Sequence, residues 1–282
     1  MASDSDAFDE IKLWLNSLPD TELSDEEIKV FLHSCYGNCT DTKRCIEVYH
    51  SSRRELPEVF ANRDPTDSSI QQFFKCFQII LSKERTDDNF AVILIRATNP
   101  SVEYFDIASL FKAYFMTVDT LILEDPYCEG LILVFDVAGS SVSHLRKLNF
   151  GVLRKCIKYL EEGMPIRTKG LHVVNLTFVM VKIIQLVKTF LKSNRDDMTF
   201  FHSSSKLETL YSAVPQRCLP EEYGGTLGSS EDLNNKNIER LIEYREHLLE
   251  GKMRLSAIAK RDNDQGKSSC EDQASLEQLC IE

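Results

Sequence analysis

Four side chains in one short stretch have the types that bind soft metals: Cys35, Cys39, Cys45 and His50. A structural zinc site draws its four ligands from two closely spaced pairs. Here the Cys-x3-Cys pair has no matching partner, so the reading is of helical cysteines packed as small hydrophobes, with no metal. Other reactive patterns also fall short. A phosphatase needs an arginine six residues after its cysteine, and Arg44 comes one residue too soon after Cys39. Gly224, Gly225 and Gly228 do not space as a dinucleotide loop, and they follow a loop rather than a strand. Nucleophile elbow, Walker A and paired-histidine zinc motifs are absent. His172 sits in an apolar run and reads as a satisfied core residue. No catalytic residues are assigned, and an enzyme is not expected.

The remaining chemistry is that of binding. Between residues 137 and 195, eleven Lys and Arg face only Glu161 and Glu162, leaving +9 in a chain whose net charge is −11. The acidic total argues against nucleic acid as a partner. Nine acids against Lys12 alone fill residues 1–28. Within the basic segment, Leu176, Met180, Ile183, Val187 and Leu191 form one helical stripe, and Lys182, Gln185, Thr189 and Lys192 another. Phe178, Val181, Ile184 and Leu186 widen the apolar part. Two readings fit this pattern: a crossover helix buried against a sheet with lysines snorkelling outward, or a helix that covers an apolar ligand and meets an anionic membrane.

These side chains need a scaffold. The chain has 282 residues, 43% hydrophobic and 27% charged, enough for one large domain or two modest ones. Nine scattered cysteines suit a reducing compartment. The start MASDSDAFDE lacks a secretory pattern, Ala2 stands where myristoylation needs glycine, and Cys280 lies too near the end for prenylation. The longest apolar run, Leu171–Val187, is broken by His172, Asn175, Lys182 and Gln185. The expectation is a cytoplasmic monomer that visits membrane surfaces transiently.

Helical spacing of Phe8, Ile11, Trp14, Leu15 and Leu18 ends at Pro19. Ser24 and Glu27 predict a capping box opening a second helix, and Thr40 is placed as cap of a third. Arg63-Asp64-Pro65 reads as a linker, followed by a helix near Ser68–Lys75. Phe77–Leu81 and Ala91–Ile95 flank a polar turn, which predicts a hairpin, though the first run could also continue a helix. Then helical spacing alternates with apolar runs: helix 106–122, strand Leu131–Val137, helix 150–162, strand Leu171–Asn175, helix 176–192 and strand Met198–Phe201. Strands separated by single helices predict an α/β fold with a mostly parallel sheet. A last amphipathic helix begins near Asn235, and the sequence beyond Lys260 is polar and reads as disordered.

Leu219-Pro220-Glu221-Glu222-Tyr223-Gly224-Gly225 resembles the signature that closes the CRAL-TRIO lipid-binding domain. Other landmarks resemble the family in order: Trp14-Leu15, Phe31-Leu32, Asn62-Arg63-Asp64-Pro65, Phe135-Asp136-x-x-Gly139 and Gly170–Asn175. The layout is most similar to the tocopherol-transfer and retinaldehyde-binding branch. The resemblance implies an N-terminal helical module at 1–66, a CRAL-TRIO domain at 67–250 and a polar tail at 251–282. It also implies a carrier holding one hydrophobic molecule, tocopherol-, retinoid- or phospholipid-like, beneath a gate helix, with no cofactor, and passing it between membranes. A lipid-dependent sensor or adaptor that binds without transferring is the alternative. The expected gate residues are Phe178, Val181, Ile184 and Val187. The expected pocket residues are Leu110, Ala113, Tyr114, Thr117, Leu131, Leu133, Phe135, Tyr159, Leu160, Ile166 and Leu171. Arg167 and Lys169 match positions that are basic in relatives holding a phosphoinositide. With Lys188, Lys192 and Arg195 they are the expected contacts to anionic phospholipid. The sequence departs from the pattern at Thr177, where relatives often carry proline, at His33, and at Asn194 and Met198, where a basic residue is usual.

Overall fold

Four short helices open the chain: α1 (Asp4–Asn16), α2 (Asp25–Ser34), α3 (Cys39–Glu55) and α4 (Pro57–Phe60). The computed structural model describes residues 4–18, 22–99, 101–188, 198–203 and 206–250. α2 starts on the expected capping box: Glu27 N donates to Ser24 Oγ at 3.3 Å and Ser24 N to Glu27 Oε2 at 2.6 Å. α3 is capped by Asn38 rather than Thr40, its Oδ1 accepting from Asp41 N at 3.0 Å. The reason is the tight turn before it. Tyr36 and Gly37 both take positive φ, so the helix begins early and Thr40 falls inside it. Ile11, Ile28, Phe31, Ile46 and Tyr49 bury the inward faces of this module.

After α5 (Ser68–Phe74) comes a five-stranded sheet in the order β1 (Phe77–Leu81), β2 (Ala91–Ala97), β3 (Leu131–Asp136), β4 (Thr168–Val174) and β5 (Thr199–His202). β1 and β2 form the antiparallel hairpin, and the remaining pairs are parallel. The linking helices are α6 (Ile107–Glu124), α7 (Val142–Lys147), α8 (Phe150–Glu162) and α9 (Phe178–Lys188). Right-handed crossovers between strands in sequential order put every connecting helix on the same sheet face. Ile93, Ile95, Leu133 and Phe135 point to that face and pack with the large core. Val92, Leu94, Ile132 and Val134 point to the other, where α10 (Glu208–Tyr211) and the following turns cover them.

The exposed edge of β1 is closed by α11 (Ser230–Glu243), which α12 (Arg245–Glu250) follows. Asn234 Oδ1 accepts from Ile79 N and Asn237 Nδ2 donates to Ile79 O, both at 2.9 Å. Side-chain amides thus satisfy an edge that would otherwise invite pairing with another chain. α11 begins at Ser230, five residues before the start expected near Asn235, because Ser229 Oγ caps it at Asp232 N. The polar tail beyond 250 lies outside the described residues.

Candidate functional site

The C-terminal halves of β2, β3 and β4, with α6, α8 and α9 above them, leave a cavity of about 200 Å³. Ligands of open α/β sheets generally bind at this end of the strands. Leu133, Phe135, Leu171 and Val173 form its floor, Leu110, Phe111 and Tyr114 one wall, and Leu153, Ile157 and Leu160 the next. Met180, Ile183 and Ile184 of α9 form the roof. The lining is almost wholly apolar. Its polar side chains are Tyr114, Ser140, His144 and Asp136. Burial pushes the Tyr114 hydroxyl up, so at neutral pH it remains a protonated donor.

Asp136 is held by three donors at the end of β3. Tyr223 OH donates to Oδ2 at 2.6 Å, and Asn175 Nδ2 and Ala138 N both donate to Oδ1 at 2.9 Å. The tyrosine can reach this carboxylate because of the glycines after it. Gly224 takes φ +69°, and a Cβ at Gly225 would lie 1.8 Å from Leu219 O. Burial, then the bond to Asp136, keeps the Tyr223 hydroxyl protonated. Asn175, at φ 59°, turns the chain from β4 into α9, and Thr177 Oγ1 caps the helix by accepting from Met180 N at 3.3 Å.

A serine and a histidine meet at the cavity mouth, where sequence reasoning saw none: Ser141 Oγ lies 2.8 Å from His144 Nδ1. The same Nδ1 accepts from Ser141 N at 3.1 Å. The contact therefore closes the first turn of α7.

The profile of the CRAL/TRIO domain matches residues 75–225, which include every strand of the sheet, the cavity and the Asp136 cluster. The chain belongs to the CRAL-TRIO family. A second profile, described as a Pinta-like UBA domain, matches residues 2–70. The human protein named alpha-tocopherol transfer protein-like is 30% identical over 74% of this chain and 60% of its own length. Rat clavesin-1 is 27% identical over 70% of this chain and 56% of its own. The match thus covers less than two thirds of either relative. The crystal structure of Sfh5 superposes with a TM-score of 0.55 at 14% identity, covering 89% of this chain and 98% of that one, a likeness of fold.

Within this CRAL-TRIO domain the structure brings Leu110, Tyr114, Leu133, Phe135, Leu160, Leu171 and Ile184 together around the cavity. It leaves other expected residues elsewhere. Ala113 and Thr117 are wholly buried toward α11, with Thr117 Oγ1 accepting from Asn237 Nδ2 at 3.1 Å. α6 is buried on nearly all sides, so only part of its apolar face is free for the cavity. Leu131 begins β3, below the cavity floor, and Ile166 precedes β4 and lines an outer cleft. Tyr159 packs instead between Phe60 and Phe115, with ring centroids 4.9 Å from each. Phe178 is 76% exposed, and Val181 does not reach the lining. The inward stripe is that of Met180 and Ile183, one of the two apolar stripes of the sequence pattern, which turns Phe178 and Val181 away from the cavity; α9 begins two residues later than expected. The side chains of Val187 and Lys188, and all of Lys192 and Arg195, lie outside the described residues.

Arg167 and Lys169 line that outer cleft with Met198, but both already have partners in the structure. Arg167 donates to the His33 carbonyl and to Glu129 Oε2 at 2.9 Å, and stacks 4.2 Å over Tyr36. Lys169 Nζ donates to Tyr36 OH at 2.9 Å. Arg167 thus fastens the end of α2 to the domain, a tertiary role that its basic character alone did not reveal. Among the described residues no helix is long and apolar enough to cross a membrane.

Proposed function

We propose that this protein carries one hydrophobic molecule in the cavity beneath α9 and passes it between membranes. The observation that supports this most is the roof itself. A single helix supplies Met180, Ile183 and Ile184 to an apolar enclosure, and its displacement would open that enclosure outward. Beside it Leu176, Phe178 and Phe201 are exposed apolar side chains, and Leu176 and Phe201 share one surface recess. Such a rim favours contact with lipid, where an opened cavity meets hydrocarbon rather than water. Apolar burial then supplies affinity at roughly 25 cal/mol per Å² before the costs of association.

A relative named for tocopherol transfer makes a long apolar molecule with one polar end the first candidate ligand. Tyr114, Ser140 and His144 would meet that end. The reading is of a carrier that performs no reaction. Lys169 and Lys182 would meet anionic phospholipid, a phosphoinositide head group included.

The test is mass spectrometry of lipid extracted from gently purified protein, with Ile184→Trp as the comparison. Ile184 is half-buried at the roof, on α9 rather than on the sheet, so a larger ring there would occupy the cavity. Wild type should yield one hydrophobic species per chain, and the variant markedly less. Equal lipid content in both would remove the cavity from the proposal.

A further inference from the structure

His144 of α7 is part of the cavity lining. It is 8% exposed, and the Phe105 ring meets it edge-on with centroids 5.2 Å apart. Its Nδ1 accepts from Ser141 N at 3.1 Å, so the neutral ring carries its proton on Nε2. Hydrocarbon surrounds it in the cavity, where Phe77, Leu110, Leu148, Met180 and Ile184 share the lining. Among the described residues Asp136 is the one charged side chain there, and three donors already occupy its carboxylate. The charges on neighbouring elements are engaged or exposed. Lys147 of α7 donates to the Val102 and Glu103 carbonyls. Arg146 of α7, Glu103 in the turn before Phe105, Asp106 at the start of α6 and Lys182 of α9 are exposed.

We infer that His144 couples the cavity to pH, its neutral ring retaining an apolar molecule and its protonation releasing one. The inference rests on the carrier reading above. Imidazole is the side chain whose charge changes near neutral pH. A second proton on this ring must go to Nδ1, the atom that accepts from Ser141 N, and it makes a cation in an almost wholly apolar space. Water entering an empty cavity can solvate that cation, and an apolar occupant cannot. The filled protein therefore binds fewer protons than the empty one. By reciprocity, affinity for the occupant falls as pH falls. The proton also takes the acceptor from Ser141 N and loosens the first turn of α7, which packs on the roof helix α9. An anionic membrane concentrates protons roughly threefold at its surface, so release is favoured there over release into solution.

The experiment uses the full chain stripped of lipid and titrated with diphenylhexatriene, a fluorescent hydrocarbon with no titrating group of its own. Circular dichroism checks that the fold persists at each pH. For an imidazole of ordinary acidity, the wild-type Kd should rise about tenfold from pH 7.5 to 5.5. His144→Gln should hold its Kd within about twofold over the same range, with His144→Asn as the second variant if the first loses its fold. Ser141→Ala and His172→Gln should keep the acid step, the first because the ring remains and the second because the sheet pair lies outside the cavity lining. In wild type at pH 6.5, binding of the probe should release about half a proton per chain into weakly buffered solution. A flat wild-type Kd, no proton release, an acid step that survives in His144→Gln, or one that disappears in His172→Gln would overturn the role of His144 and leave the carrier reading standing. Failure of wild type to bind the probe at pH 7.5 would remove both.

Discussion

His172 and His202 face each other inside the sheet, and their pairing decides how this fold responds to acid. His172 Nδ1 lies 2.9 Å from His202 Nε2, and His202 Nδ1 lies 2.8 Å from Thr209 Oγ1. Phe200 stacks on the His172 ring at 4.8 Å. One proton serves the line between the rings, so a second would set two charges side by side. Burial first, and the charge of His202 second, lower His172 from 6.5 to about 4. An unfolded chain therefore binds more protons than the native one between those values. Stability rises with pH across that window and is lost as pH falls from about 6.5 toward 4, by roughly 2–3 kcal/mol for this ring. Urea midpoints measured from pH 7 to 4.5 should fall faster in wild type than in His172→Gln. Carboxylates shared by both proteins set the remaining slope. Parallel midpoints would mean that the pair does not titrate with unfolding. His172 was legible in the sequence as a core histidine, but its partner lies 30 residues away on the next strand, and pairing register is a tertiary fact. Asp136, Asn175 and Tyr223 were likewise visible as separate landmarks. That they form one cluster follows only from strand order.

Between elements, the joint of helical module and sheet domain rests on a buried acid. Asp119 of α6 takes Arg53 of α3 at 2.8 Å and Arg63 of the linker at 2.6 Å, and Arg53 also reaches Tyr159 OH of α8 at 3.2 Å. Burial raises the Asp119 carboxyl, but the two guanidinium charges outweigh it and hold the group below its ordinary range. Removing that carboxylate would leave two arginines in the interior with their charge balance gone. Asp119→Ala should therefore cost about 3–5 kcal/mol, read as a lower urea midpoint. Arg44→Ala, whose partner Glu162 it meets from a half-exposed position, should cost under about 1 kcal/mol. Comparable losses in the two variants would show the triad to be no more than a surface pair. The alternation of strand and helix was legible because each crossover must bury an apolar stripe, and α8 falls at its expected 150–162. Tyr159 was misread for the same reason that it was noticed. An aromatic near the end of an amphipathic helix could face ligand or module, and only the docking of α3 selects the module.

Across the whole molecule, the +9 segment divides into charges that hold the fold and charges that face solvent. Lys147 donates to the Val102 and Glu103 carbonyls, Lys155 to the Glu55 carbonyl, and Arg167 to His33 and Glu129. Lys182 stands exposed on the outer side of α9, its ammonium 5.5 Å from the Phe178 ring, between the roof of the cavity and the apolar rim. If the proposed carrier docks through that face, Lys182 belongs to the contact and Lys155 does not. A lysine near an anionic surface contributes about 1 kcal/mol, which corresponds to roughly fivefold in affinity. Vesicles containing phosphatidylserine should therefore bind Lys182→Gln about fivefold more weakly than wild type, while Lys155→Gln binds as wild type does. The Lys182→Gln difference should shrink as salt shortens the screening length from about 10 Å at 0.1 M. The acidic remainder works against a general attraction, since the chain as a whole carries −11 and an anionic membrane would repel most of such a surface. Orientation then matters more than total charge, because only a face with a local excess of lysine beside exposed phenylalanines gains on approach. Equal weakening by both variants would mean that the field of the entire segment, rather than the α9 face, draws the protein to lipid.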